Sequence, residues 1–114
     1  MISPQTFEEL LAYITKIDAA TVQKTIKKDP SETELILSCL ACLQEESGEL
    51  ASEVRKLTKM SFNQTKVDSF ALEHLEEERV DILIVLLLLA KRLGIENFDE
   101  AILKKIGKNN ARGY

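Results

Sequence analysis

The chain has 114 residues, 19 acidic side chains against 15 Lys and Arg, a net charge of −4 and 45% hydrophobic residues. That mixture supports one packed domain spanning residues 1–114 and argues against disorder. Its four glycines, two prolines and 5% aromatics argue against an all-β sandwich or barrel, and the acidic balance against a nucleic-acid-coating role, which needs a broad cationic surface.

The N-terminus has no basic segment followed by an apolar one, so no secretory signal is expected. The longest apolar run, residues 82–90, is too short for a bilayer, which takes roughly 20 residues. The expected location is the cytoplasm. Cys39 and Cys42 stand inside a helical pattern with no strand before them, unlike a redox pair. With His74 as the chain's one histidine they fall short of a tetrahedral zinc set. Both are expected to be small core residues.

Four helices are predicted in chain order. The first spans residue 4 to about 28, with Ser3 as N-cap and Pro4 at the first helical position. Apolar residues recur along it at Phe7, Leu10, Leu11, Ile14 and Ile17, Asp18 and its neighbours are a place where it could bend, and Asp29-Pro30 closes the segment. The second opens on a capping box, Ser31 with Glu34, and runs to about 59. A polar connection covers 60–67. The third runs from about 68 to 93, with Gly94 as the left-handed residue after its end. The fourth begins at Asn97 with Glu100 as a second capping box and ends near Gly107, leaving a basic tail. The expected architecture is an all-α, four-helix antiparallel bundle.

Several acids sit where apolar residues belong. On a wheel at about 100° per residue, Leu35, Cys39, Cys42, Leu43, Leu50 and Leu57 fall within roughly 60° of Glu46. Glu53 shares that arc, Glu49 lies at its edge and Glu45 points away. On the third helix Val85 and Leu88 lie within about 40° of Asp81, and Glu78 lies at roughly 60°. Unpaired carboxylates facing a core are costly, and neighbouring ones raise each other's pKa. Basic partners or divalent cations can relieve them. Arg55, Lys56 and Arg79 are available, but Arg55 and Arg79 fall well away from the acids. Glu46/Glu49 and Glu78/Asp81 are i, i+3 pairs that each present two carboxylates on one face. A metal site therefore explains the pattern better, and oxygen-only ligands suit Mg²⁺ or Mn²⁺. A di-iron site would need Glu-x-x-His on two helices; position 71, three before His74, is Ala.

Lys104, Lys105, Lys108 and Arg112 form a positive patch between residues 104 and 114 with no acid among them. They read either as favourable cations at a helix C-terminus or as phosphate contacts. No glycine spacing approaches a phosphate loop.

Glu45-Glu46-Ser47-Gly48-Glu49, followed after 28 intervening residues by Glu78-Arg79-Val80-Asp81, resembles the EExxE…ExxD signature of the MazG-like nucleoside triphosphate pyrophosphohydrolases. The Leu93-Gly94-Ile95 stretch and the closing Lys108-Asn109-Asn110-Ala111-Arg112-Gly113-Tyr114 are similar to that family's C-terminal half. The resemblance covers roughly residues 31–114. It implies an all-α enzyme that cleaves a nucleoside triphosphate, more often a deoxynucleotide, between the α- and β-phosphates to give monophosphate and pyrophosphate. It implies Mg²⁺ on Glu46, Glu49, Glu78 and Asp81, with residues 31–59 and 68–93 carrying the site. Glu45 would orient or deprotonate the attacking water, and Lys105, Asn110, Arg112 and Tyr114 would contact phosphate or sugar. Dimers or dimers of dimers are implied, and the all-round apolar run at 82–90 independently suggests burial against a second subunit. The competing readings are a non-enzymatic helical regulatory or metal-binding module and a phosphoribosyl-ATP pyrophosphatase.

Overall fold

A computed structural model describes residues 2–24, 26–95 and 97–114. Among them the chain is all-helical: α1 (Pro4–Lys24), α2 (Glu32–Leu57), α3 (Gln64–Asp68), α4 (Leu72–Arg92) and α5 (Phe98–Ala111). Ser3 Oγ accepts from the Thr6 N–H at 3.1 Å and starts α1. α1 is one unbroken helix through Asp18, against the expected bend. The Asp18 carboxylate does not compete for local backbone N–H groups, because it is engaged by Arg92 Nη2 at 2.5 Å and Lys91 Nζ at 3.9 Å on α4.

α1 stops four residues short of the predicted end, although Thr25 lies outside the described residues. Residues 26–29 form bends, Asp29 takes φ 50° before Pro30, and Lys27 Nζ is paired with Glu34 on the first turn of α2. The predicted capping box is present in full. Ser31 Oγ accepts from Glu34 N–H at 3.1 Å, and Glu34 Oε1 accepts from Ser31 N–H at 3.2 Å.

The connection expected to be irregular contains the extra helix α3. Asn63 Oδ1 caps it by accepting from Lys66 N–H at 3.3 Å, and Gln64 Nε2 donates to Asp68 Oδ1 at 2.9 Å. Asp68 and Ser69 are thereby used to end α3, so α4 starts at Leu72 rather than near 68. Gly94, at φ 72°, ends α4 as expected: Ile95 N–H reaches Ala90 O at 2.9 Å and Gly94 N–H reaches Lys91 O at 3.0 Å, a Schellman closure.

The predictions for α5 need two corrections. Asn97 makes no side-chain cap hydrogen bond. The helix also continues through Gly107 to Ala111, because one interior glycine costs only about 1 kcal/mol. The stop comes at Gly113, φ 83°, with Tyr114 N–H on Asn109 O at 3.0 Å.

α2 and α4 pack along their lengths, α1 packs on α4 and α3 on α2. Ile14, Cys39, Leu87 and Leu88 form the buried centre, flanked by Phe7, Leu10, Ile17, Leu83, Ile84, Leu89 and Phe98. Cys42, expected in the core, is exposed, since α1 packs on α4 and leaves that flank of α2 open. Both cysteines are free. Among the described residues α5 is anchored to the core by Phe98 at its start. Ile102, Leu103 and Ile106 on it are 51%, 69% and 49% exposed.

The radius of gyration is 17.3 Å, against about 13 Å for a compact chain of this length. The accessible surface is 8869 Å², roughly 2,500 Å² above what a compact monomer of this mass exposes.

Candidate metal centre

α2 and α4 run antiparallel, so the middle of one faces the middle of the other. Glu46 and Glu49 project from α2 and meet Glu78 from α4. One carboxylate oxygen from each lies within 4.8 Å of the other two. Glu46 and Glu78 are half-buried and Glu49 is exposed, so the cluster opens to solvent on one side. Glu46 Oε2 and Glu78 Oε2 are buried and have no hydrogen-bond partner.

The electrostatics follow from that crowding. Burial raises the Glu46 carboxyl above its usual range, and the charges of Glu49 and Asp81 raise it further, while a hydrogen bond with Glu78 works against them. Glu78 is pushed up to about 7, first by burial, then by a hydrogen bond with Glu49 and by the charges of Glu49, Glu46 and Asp81. Among the described residues no cation approaches these three acids within ion-pair distance; the ion pairs lie at Lys27–Glu34, Lys56–Glu53 and around Arg92. Three converging carboxylates, of which Glu46 and Glu78 have stranded buried oxygens and raised pKa values, form a donor set that fits a hard divalent cation. A cation there would replace both the missing hydrogen bonds and the missing counter-charge.

The remaining predicted site residues are placed as follows. Asp81 is half-buried and close enough for its charge to act on Glu46 and Glu78, but its oxygens stand outside the three-residue cluster. It lines an open acidic cleft with Glu73, Glu76, Glu77 and Val80. Glu45 is exposed on the neighbouring face of α2. Lys105, Asn110 and Arg112 are exposed on α5 or at its end, Tyr114 is 85% exposed, and beyond Phe98 at its start α5 is not seen to pack on the α2/α4 pair among the described residues. Within one chain the basic tail is therefore separate from the carboxylates.

Glu53, 8% exposed, is the buried charged residue among those described. Its Oε1 accepts from Lys56 Nζ at 2.7 Å and its Oε2 is buried without a partner. The signal was its shared arc with Glu46.

The family description "MazG nucleotide pyrophosphohydrolase domain" matches residues 35–113. The chain belongs to this family. The matched span of the MazG domain contains all three carboxylates of the cluster, Asp81, and the α5 tail up to Gly113, and the all-helical architecture agrees with it. Comparison with curated proteins and with solved structures gives no match. MazG membership carries the general activity, nucleotide pyrophosphohydrolysis, to this chain. Among the described residues no helix is long and apolar enough to cross a membrane.

Proposed function

We propose that the protein is a Mg²⁺-dependent enzyme that hydrolyses nucleoside triphosphates, deoxynucleotides in preference, to monophosphate and pyrophosphate in the cytoplasmic nucleotide pool. The observation that carries this reading is the convergence of Glu46, Glu49 and Glu78 across α2 and α4 with buried oxygens that no protein group satisfies. Glu46, Glu49 and Glu78 would hold the cation, with Asp81 drawn in from the edge. Mn²⁺ would substitute, being similarly suited to carboxylate and water ligands.

A bound divalent ion would neutralise charge developing on the phosphates and acidify a coordinated water. Glu45 would orient or deprotonate that water. Lys105, Asn110, Arg112 and Tyr114 would serve as phosphate or sugar contacts on a neighbouring subunit's site, because α5 reaches none of the carboxylates of its own chain. The surface excess of roughly 2,500 Å² per chain falls in the range of obligate interfaces, and the exposed apolar face of α5 supports a homo-oligomer, a dimer or tetramer.

The test is pyrophosphate release from a panel of ribo- and deoxyribonucleoside triphosphates, each with Mg²⁺ and with EDTA. Metal-dependent release with equimolar monophosphate is the expected result, strongest on deoxynucleotides. Absence of release from every triphosphate would refute the reading.

A further inference from the structure

We propose that Lys56, held by the buried carboxylate of Glu53, is a polyphosphate-binding residue of this site and takes the pyrophosphate end of the substrate. The inference rests on the hydrolytic reading above and adds to it a contact inside the α2/α4 pair.

Glu46, Glu49, Glu53 and Lys56 follow at intervals of three, four and three residues, the spacing of one helical face. The face therefore reads as three acids ended by a cation. Glu53 is buried and Lys56 is only 17% exposed along its side chain, a depth at which Lys and Glu are found when paired, as these two are. Long helical side chains lean toward the N-terminus, and the 2.7 Å contact with Glu53 holds the Lys56 ammonium at the level of Glu53. That level is one turn, about 6 Å along the axis, from Glu49.

A metal at the carboxylate cluster and an ammonium one turn away are separated by the span of a short phosphate chain. A cation on the three acids would leave part of the phosphates' negative charge unbalanced, and Lys56 is the side chain on this face that can meet it. Arg55 and Arg79 are exposed on other faces, and Lys91 and Arg92 are committed to Asp18 at the far end of α4. Glu53 keeps the ammonium folded along α2 before substrate arrives. Its Oε2 is buried without a hydrogen-bond partner, so the Glu53 carboxylate has the lysine as its polar contact.

The experiment is calorimetric binding of inorganic pyrophosphate with Mg²⁺ to the full chain, to Lys56→Gln, to Lys56→Arg and to the double variant Glu53→Gln/Lys56→Gln. Losing a charge-assisted contact should weaken pyrophosphate binding about tenfold or more, while nucleoside monophosphate affinity holds. Lys56→Arg should recover most of the loss. The double variant strands no buried charge, so it controls for misfolding and should show the same loss. Equal pyrophosphate affinity in the wild type and the double variant, or no binding by the wild type, would overturn the proposal. Turnover separates the two readings. Variants with unchanged KM in an active enzyme would remove Lys56 alone. Lys56-dependent pyrophosphate binding in a protein that turns over no triphosphate would remove the hydrolytic reading and leave the phosphate contact.

Discussion

At the proposed metal site Glu78 would make the proton a measurable competitor of the cation. Its carboxyl is raised from 4.5 to about 7 by burial and by Glu49, Glu46 and Asp81, so below pH 7 a proton occupies the place a cation needs. Metal binding must release that proton. For one site of pKa about 7, the apparent Mg²⁺ affinity should fall about tenfold between pH 8 and pH 6 and flatten above pH 8. The metal-free protein should move the other way. A carboxyl whose folded pKa lies above its unfolded value contributes stability that is complete below 4.5 and is lost as pH rises through about 7. Without metal, Tm should therefore drop between pH 5.5 and pH 8, and Mg²⁺ should restore it most at the high end. Titration calorimetry in two buffers of different ionisation enthalpy counts the released protons directly. Mg²⁺ affinity that is flat from pH 6 to pH 8, with no proton release, would refute the reasoning.

Three further outcomes are expected. Glu49→Gln and Asp81→Asn should each abolish pyrophosphate release while leaving the helical circular dichroism intact; an active Asp81→Asn enzyme would remove Asp81 from the site. Leu87→Ala, at a position 6% exposed between α1 and α4, should cost about 2–5 kcal/mol in denaturant unfolding, and a loss below 1 kcal/mol would show that the centre of the core lies elsewhere. Ile106→Asp places a charge on the exposed apolar face of α5 and should convert an oligomer to monomer by light scattering, with turnover falling in step; an unchanged mass would exclude that face as the interface.

The helices were legible because periodicity, caps and glycines spoke with one voice. Ser3, Ser31, Glu34 and Gly94 act as the sequence indicates. The failures have local causes. Gly107 looked like a terminator, yet an interior glycine stops a helix only where the chain has something better to do, and the left-handed turn was available six residues later at Gly113. α3 was hidden because five residues with one apolar side chain, Val67, carry no period; its signal was Asn63 as a cap and the Gln64–Asp68 pair.

The carboxylates were legible for a different reason. Glu46, Glu49 and Glu78 interrupt apolar stripes, and a stripe records which face meets a neighbour. Asp81 was assigned by the same logic and stands at the edge instead, since a wheel gives the angle of a side chain and not its reach. The Glu53–Lys56 pair was visible only in part: the wheel put Glu53 on the right face, but not the depth at which its partner would be held.

One end of the α2/α4 pair is bonded differently from its middle. Arg92 ties α4 to Asp18 and Glu32 at one end, while Glu46, Glu49 and Glu78 repel one another halfway along. Natural and laboratory selection for robustness alone will thus favour replacing those acids with glutamine or leucine, since each replacement relieves repulsion and, at Glu46 and Glu78, burial cost as well. A thermal screen run in chelator would enrich heat-resistant proteins that have lost the site, and the same library screened with Mg²⁺ would retain it.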